Sequence, residues 1–244
     1  MVKGNENKKK SLISRIWNQR HVLRSLLQTL YFNFHYLPWR QAIHLPILLY
    51  KPKLLSTKGK VKICYEGKIT YGMIRLGFYH VSIYPNTGIM YENHGGTITF
   101  YGRCTIGNNA AISIGPKAVV DIGDNVKNTS SLKFVSYDKV QVGNCVRFGW
   151  DCLLMDTDFH KLTKTKGGYS KGHAPVVIGN NNWFGNGCRI MKRTSTPDYC
   201  IVQGGTTLSG PVDAPPYSVV GTDSKIIVKT TGVWRNVDDD VIEY

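Results

Sequence analysis

From Ile178 onward one position in six is held by an inward-type residue: Ile178, Phe184, Ile190, Thr196, Val202 and Leu208. Four residues after each of the first five stand Asn182, Cys188, Thr194, Cys200 and Thr206. The same beat runs earlier through Val142, Phe148 and Leu154, partnered by Val146 and Cys152. Upstream, Ile98, Ile106, Ile114 and Ile122 recur at a wider spacing, and Ala110, Ala118 and Val126 follow the last three. Six residues cannot bring an α-helix back to one face, because two turns need about seven. They do suit a short strand and a tight corner, with alternate side chains pointing the same way. Stacked, such units form a β-solenoid in which each coil supplies hydrogen-bonding partners to the next. The aliphatic residue and its small companion fill a narrow interior.

The beat breaks between Leu154 and Ile178, and the break opens on Asp156-Thr157-Asp158-Phe159-His160. Lys161 to Pro175 carries Lys161, Lys164, Lys166 and Lys171 among Thr, Gly and Ser. This predicts a projecting flexible loop. Two roles fit it: closing over an anionic or glycan acceptor, or serving as a solvated surface loop.

The chain of 244 residues is long enough for one domain with an appendage. Its net charge of +15 is concentrated at one end. Residues 1–60 hold twelve Lys or Arg against the single acid Glu6. An anionic partner is expected there, a phospholipid surface or a phosphate-rich ligand. Nucleic acid is not expected, since no zinc-finger, helix-turn-helix or RNP-type signature occurs. Ser11 to about Tyr36 has helical periodicity, with Ile13, Ile16, Trp17, Leu23, Leu26, Leu27 and Leu30 in a stripe interleaved with Arg15, Arg20 and Arg24. The uncharged run Ser25 to Trp39 is too short and too polar to span a bilayer. The stripe suits either a membrane surface or packing on the protein or a sister subunit. From Val61 the texture becomes β, with short runs divided by Gly67, Gly72, Gly77 and Pro85. Of the six cysteines, Cys152, Cys188 and Cys200 fall on the small-residue position and read as compact apolar fillers. No C-x-x-C pair and no secretory signal peptide are present, so a reducing, cytoplasmic setting is expected.

Residues 98–229 resemble the hexapeptide-repeat acyltransferases. Val177-Ile178-Gly179 followed by Trp183-Phe184-Gly185 resembles that family's Ile-Gly…Trp-Ile-Gly run. Gly204-Gly205-Thr206 lies where the family has Ala-Gly-Ser, and Pro215-Pro216-Tyr217-Ser218 through Gly221 and Lys225 resembles its closing segment. Thr222-Asp223-Ser224 departs from the family's residue-Pro-Ala there. Phe148-Gly149-Trp150 leading into Asp156–His160 is similar to the subgroup acting on sugars and surface polysaccharides.

The resemblance implies a mainly β fold, a left-handed parallel β-helix over 61–229, with the loop 156–175 protruding. A basic helical segment (1–60) precedes it and a tail (230–244) follows. It implies acetyl-CoA-dependent O-acetylation of a sugar hydroxyl in capsular or surface-polysaccharide assembly. The alternatives are N-acylation of an amino sugar, or a non-catalytic scaffold binding glycan or lipid. His160 is the candidate general base, since imidazole titrates near neutral pH. Asp156 and Asp158 are candidates to orient it. Trp183, Asn186, Gly204, Gly205, Thr206, Lys225 and Lys229 are the candidate residues for acetyl-CoA, with the lysines suited to its phosphates. A homotrimer is implied, since in the family the cofactor lies between neighbouring subunits. The expected location is cytoplasmic, peripheral at the inner membrane face. No metal is expected: the histidines lack the close pairing that a zinc hydratase on this scaffold needs.

Overall fold

A computed structural model describes residues 12–221 and 233–234, with side chains from 24 to 221. The strands form three parallel faces, visited in strict rotation. The first face has eight strands, from Ile47–Leu49 to Val219–Val220. The second has seven, from Lys53–Thr57 to Thr207–Leu208, and the third has five, from Lys60–Ile63 to Val176–Ile178. Up to the excursion after Met155 each strand pairs with the strand three places on in sequence; beyond it the step is two, because the third face continues only through the isolated bridges Val177–Ser195 and Ser195–Pro211. This is a three-sided parallel β-helix, as the six-residue beat requires.

The side chains of the beat point inward. Ile178, Phe184, Ile190, Thr196 and Val202 are buried, and Leu208 packs against the same core. Their companions Asn182, Cys188, Thr194, Cys200 and Thr206 are buried with them. Val142, Phe148, Leu154, Val146 and Cys152 continue the columns below, and Phe148 stacks on Phe184 with ring centroids 5.2 Å apart. The three cysteines of the beat are free thiols within the core, the filler role expected of them.

Coil length tightens along the axis. Cys104 pairs with Val126, Lys127 with Arg147, and Trp183 with Ile201, so the repeat shortens from 22 to 20 to 18 residues. The corners explain which residues sit between strands. Asn125, Cys145, Asn181, Tyr199 and Tyr217 stack at one corner, all with φ between 56° and 65°. Asn109, Ser131, Asp151, Gly187 and Gly205 stack at another, with φ between 57° and 75°. Left-handed backbone is unfavourable except for Gly and, less so, Asn and Asp, which accounts for those types there; Ser131, Cys145, Tyr199 and Tyr217 adopt it because the corner geometry repeats from coil to coil.

Two boundaries differ from the sequence expectation. The solenoid begins at Ile47, so the boundary expected at residue 60 falls inside the first coil. The first coils were not legible because long connections interrupt them: Ile74 pairs with Cys104, 30 residues on. At the other end, Val233–Trp234 pairs antiparallel with Leu162–Lys164, so this part of the expected tail is a strand. The rest of 230–244, and residues 1–11, lie outside the described residues.

The first helix, α1 (Leu12–Tyr36), covers the open end of the first coil. Its inward face is polar. Thr29 Oγ1 accepts from Leu49 N at 3.0 Å, and Asn33 bridges Ile47, taking its N–H at 3.1 Å and donating to its carbonyl at 2.7 Å. Ser25 Oγ accepts from Lys51 N at 3.0 Å. These residues stand at four-residue steps and meet the unpaired edge of the strand Ile47–Leu49, which would otherwise leave backbone groups unsatisfied. Phe32 adds a large buried apolar contact on this face, edge-on to Tyr91 at 5.1 Å, with Tyr36 partly buried beside it. Leu26 and Leu27, from the apolar stripe that suited either a membrane surface or packing, are exposed.

Candidate active site

The chain leaves the solenoid after Leu153–Met155 on the second face and returns at Val176–Ile178 on the third. The excursion is closed at its neck by backbone bonds. Asp158 N donates to Gly172 O at 2.8 Å, Ala174 N donates to Asp156 O at 3.0 Å, and Thr157 bridges His173. Beyond the neck the chain is a β-hairpin, Leu162–Lys164 against Tyr169–Ser170, turned at Gly167 and Gly168. The strand Val233–Trp234 extends it to three strands. The expected flexible loop is thus a small antiparallel sheet standing on the corner.

Asp156 lies beneath the neck and is fully buried. Its carboxylate accepts from Ser136 Oγ at 2.7 Å, Tyr137 N at 2.7 Å and Asp138 N at 2.9 Å. Burial raises its pKa above the ordinary carboxylate value, while these three donors pull the other way. Its contacts give Asp156 a positioning role under the loop, in place of the imidazole-orienting role expected. Asp158 forms an ion pair with Lys192, which also donates to the carbonyls of Lys171 at 3.2 Å and Gly172 at 3.4 Å. Lys192 occupies the same corner one coil on, so this cation ties both sides of the neck to the solenoid.

His160 is half-buried at the root of the hairpin. The preceding Phe159 has φ 59°, with its N–H held by Thr157 Oγ1 at 2.9 Å and its ring edge-on to Tyr137 at 4.8 Å. A bulky residue in left-handed backbone persists only where its surroundings over-determine it, and such positions cluster at functional sites. A Cβ built on Gly172 would stand 2.9 Å from His160 O, so the return strand passes flush against the His160 backbone.

A second histidine enters the neck unannounced by the sequence reading. His173 is buried, with Nδ1 2.9 Å from Asp138 Oδ2. That is ion-pair distance, though the two atoms lack hydrogen-bond alignment and neither has another partner among the described residues. The available signal was coil spacing. Val135 pairs with Met155, so Asp138 lies one 20-residue coil below Asp158.

The candidate cofactor residues lie elsewhere. Asn186, Gly204 and Gly205 stack at the corner between the first and second faces, whereas the hairpin rises between the second and third. All three are exposed. Asn186 Oδ1 accepts from Trp150 N at 3.0 Å, and Gly205 N donates to Asn186 O at 2.8 Å. The Gly205 amide is therefore engaged within the corner, and what it presents is bare backbone, with nothing within 4 Å of an added Cβ. Thr206 is buried, as its place in the beat dictates, so its side chain faces the core and not a ligand. Trp183 is exposed in an outward row with Ile201 and Val219. Tyr199 and Tyr217 stack beside that row at 4.4 Å. Lys225 and Lys229 lie outside the described residues. Trp150 points outward, its Nε1 donating to Thr129 Oγ1 at 2.7 Å, and Tyr84 approaches its ring at 6.0 Å.

No family model matches the chain, and no curated protein does. Among solved structures it is similar to the polySia-specific acetyltransferase NeuO at 14% identity and a TM-score of 0.47, covering 78% of this chain and 91% of that one. It is also similar to a maltose O-acetyltransferase from Clostridium difficile 630 at 12% identity and a TM-score of 0.31, covering 84% of each chain. At that degree of overlap neither likeness bears on activity. On its own strand order, the chain is a three-sided parallel β-helix with a hairpin set on one corner and its first coil capped by a helix.

Proposed function

We propose that the chain is an acetyl-CoA-dependent O-acetyltransferase acting on a sugar hydroxyl in capsular or surface-polysaccharide assembly. The observation that carries this reading is the placement of His160. It stands at the root of a braced hairpin, on the segment Asp156–His160 that resembles the sugar-acetylating subgroup. Asp156, Asp158 and Lys192 fix the neck, and Phe159 fixes the approach to the imidazole. His160 takes the proton of the acceptor hydroxyl as that oxygen attacks, with no acyl-enzyme formed. The thioester of acetyl-CoA supplies the activated acetyl group. The bare backbone at Gly204 and Gly205 and the outward row of Trp183, Ile201 and Val219 fit the close approach of its extended chain.

Within one chain His160 and the cofactor residues stand on different corners. A neighbouring copy that sets its glycine corner against this hairpin brings the two together, which supports the homotrimer reading. The test is coenzyme A release from acetyl-CoA against free, nucleotide-linked and lipid-linked sugars. Release with a hydroxyl acceptor and formation of an alkali-labile ester support the reading. Transfer only to an amino sugar nitrogen moves it to N-acylation, and failure to bind acetyl-CoA moves it to a scaffold.

Gly172 offers a sharper probe of geometry. A methyl group there must displace the His160 backbone. Gly172→Ala is expected to lower turnover by roughly 10- to 100-fold, the scale of a sub-ångström to ångström misplacement of a catalytic group. Acetyl-CoA affinity stays unchanged. Steady-state kinetics with an equilibrium binding measurement checks both.

A further inference from the structure

In α1 from residue 24 on, Ser25, Thr29 and Asn33 are spent on the solenoid's open edge, and Leu26, Leu27, Tyr31 and Phe34 face away from the protein while Phe32 packs inward. Leu27 is 59% exposed, Phe34 44%, and just beyond the helix Trp39 is 70% and Ile43 50% exposed. Phe34 and Trp39 lie against each other at 5.3 Å, so they form one patch that continues over Tyr31. Large contiguous apolar patches on a protein surface mark interaction sites.

The charge around the patch selects its occupant. Between residues 24 and 60 there are six Lys or Arg and no Asp or Glu. On the flank of the helix, Arg24, Lys51 and Lys53 surround a depression of about 550 Å³ whose floor includes Ser25 and Gln28. Lys51 is held over it by a bond from Nζ to Asn86 O at 3.0 Å. Arg24 and Gln28 stand one column over from Leu27 and Tyr31 on the helix, so the cationic hollow and the apolar patch share an edge. A second copy placed on this surface would bring together two surfaces of the same charge, each carrying Arg24, Lys51 and Lys53. A bilayer with anionic headgroups satisfies both halves: aliphatic and aromatic side chains enter the interface, and cations meet phosphate. No helix among the described residues is long and apolar enough to cross a membrane, so the contact is with the surface.

We propose that the outer face of α1, with Trp39 and Ile43, docks on an anionic lipid bilayer, the hollow of Arg24, Lys51 and Lys53 receiving a headgroup phosphate. The inference is independent of the acetyl-transfer reading. Flotation of the full chain with vesicles tests it, using phosphatidylcholine alone and phosphatidylcholine mixed with phosphatidylglycerol. The wild type is expected to float with the mixed vesicles only, and less at high salt. Phe34→Ser with Trp39→Ser, and separately Arg24→Gln with Lys53→Gln, are each expected to lower partitioning roughly tenfold or more. The replaced side chains are exposed, so the thermal midpoint should not move, and this is measured alongside. Wild-type chain that stays with the buffer overturns the proposal, as does equal flotation of both variants. A lipid-free mass that falls in the Phe34/Trp39 variant also overturns it, because a second copy then covers the patch.

Discussion

Replacing His160 with alanine is expected to lower turnover by about 10²- to 10⁴-fold, the range supplied by a positioned general base. Acetyl-CoA binding should be unchanged. The reason is topological: His160 rises from the corner between the second and third faces, and the glycines and asparagine proposed for the cofactor lie at another corner. Loss of rate with retained affinity is therefore the signature of the base, read from initial rates and calorimetric titration of the same preparation. Unchanged turnover would remove His160 from the mechanism. A matching loss of acetyl-CoA affinity would show that the hairpin forms part of the donor site. His173 is the natural comparison. It is buried against Asp138, so His173→Ala should act through the neck, with a fall in thermal midpoint that His160→Ala lacks.

The largest effect on stability is expected at Asp156. Asp156→Ala leaves Ser136 Oγ, Tyr137 N and Asp138 N without their acceptor inside the protein. Each unsatisfied buried donor costs about 1–3 kcal/mol. Three of them should lower the midpoint by roughly 6 °C or more in a chain of this size. The pH dependence has a definite sign. Burial raises the carboxyl's pKa in the folded chain above its unfolded value, so folding binds its proton more tightly. That contribution is fully present below about pH 3.9, the ordinary Asp value, and is lost as pH rises through the folded value. Asp156→Asn removes this slope, so wild type should lose stability relative to the variant as pH rises from about 3.9 through the folded value, and only there. Denaturant unfolding across a pH series would reveal it, and identical slopes in the two chains would count against the burial assigned to Asp156.

Much of the scaffold was legible because one interior imposes one rule on every coil. Ile178, Phe184 and Cys188 were read correctly from spacing alone, since a narrow core accepts a single size at each place. Rules that depend on the far side of a contact were not legible. The apolar stripe of α1 suited a membrane surface and a packing face equally in the sequence, because what decides its orientation is the solenoid's open edge, which demands the hydrogen-bonding partners that Thr29 and Asn33 supply. The hairpin looked like a loose loop because Thr163 and Tyr169 carry no apolar alternation and the third strand comes from Val233–Trp234, far along the chain. Thr206 belonged to two patterns at once, and the six-residue beat decided its direction. The site was half legible: Asp156–His160 stood out as a break in a rhythm, whereas Lys192, Asp138 and His173 join it only through the stacking of coils.

The closed neck makes the hairpin an exchangeable cassette. Because residues 156–158 are bonded across to 172–174, the solenoid registers the same two attachment points whatever lies between them. Lengthening a loop whose ends are already joined costs little chain entropy, about 0.6 kcal/mol per doubling. A scaffold of this kind can change what its hairpin touches by grafting, leaving coil register, core columns and the footing of His160 as they were. For protein engineering, residues 161–171 are accordingly the segment to diversify, and the neck is the segment to leave alone.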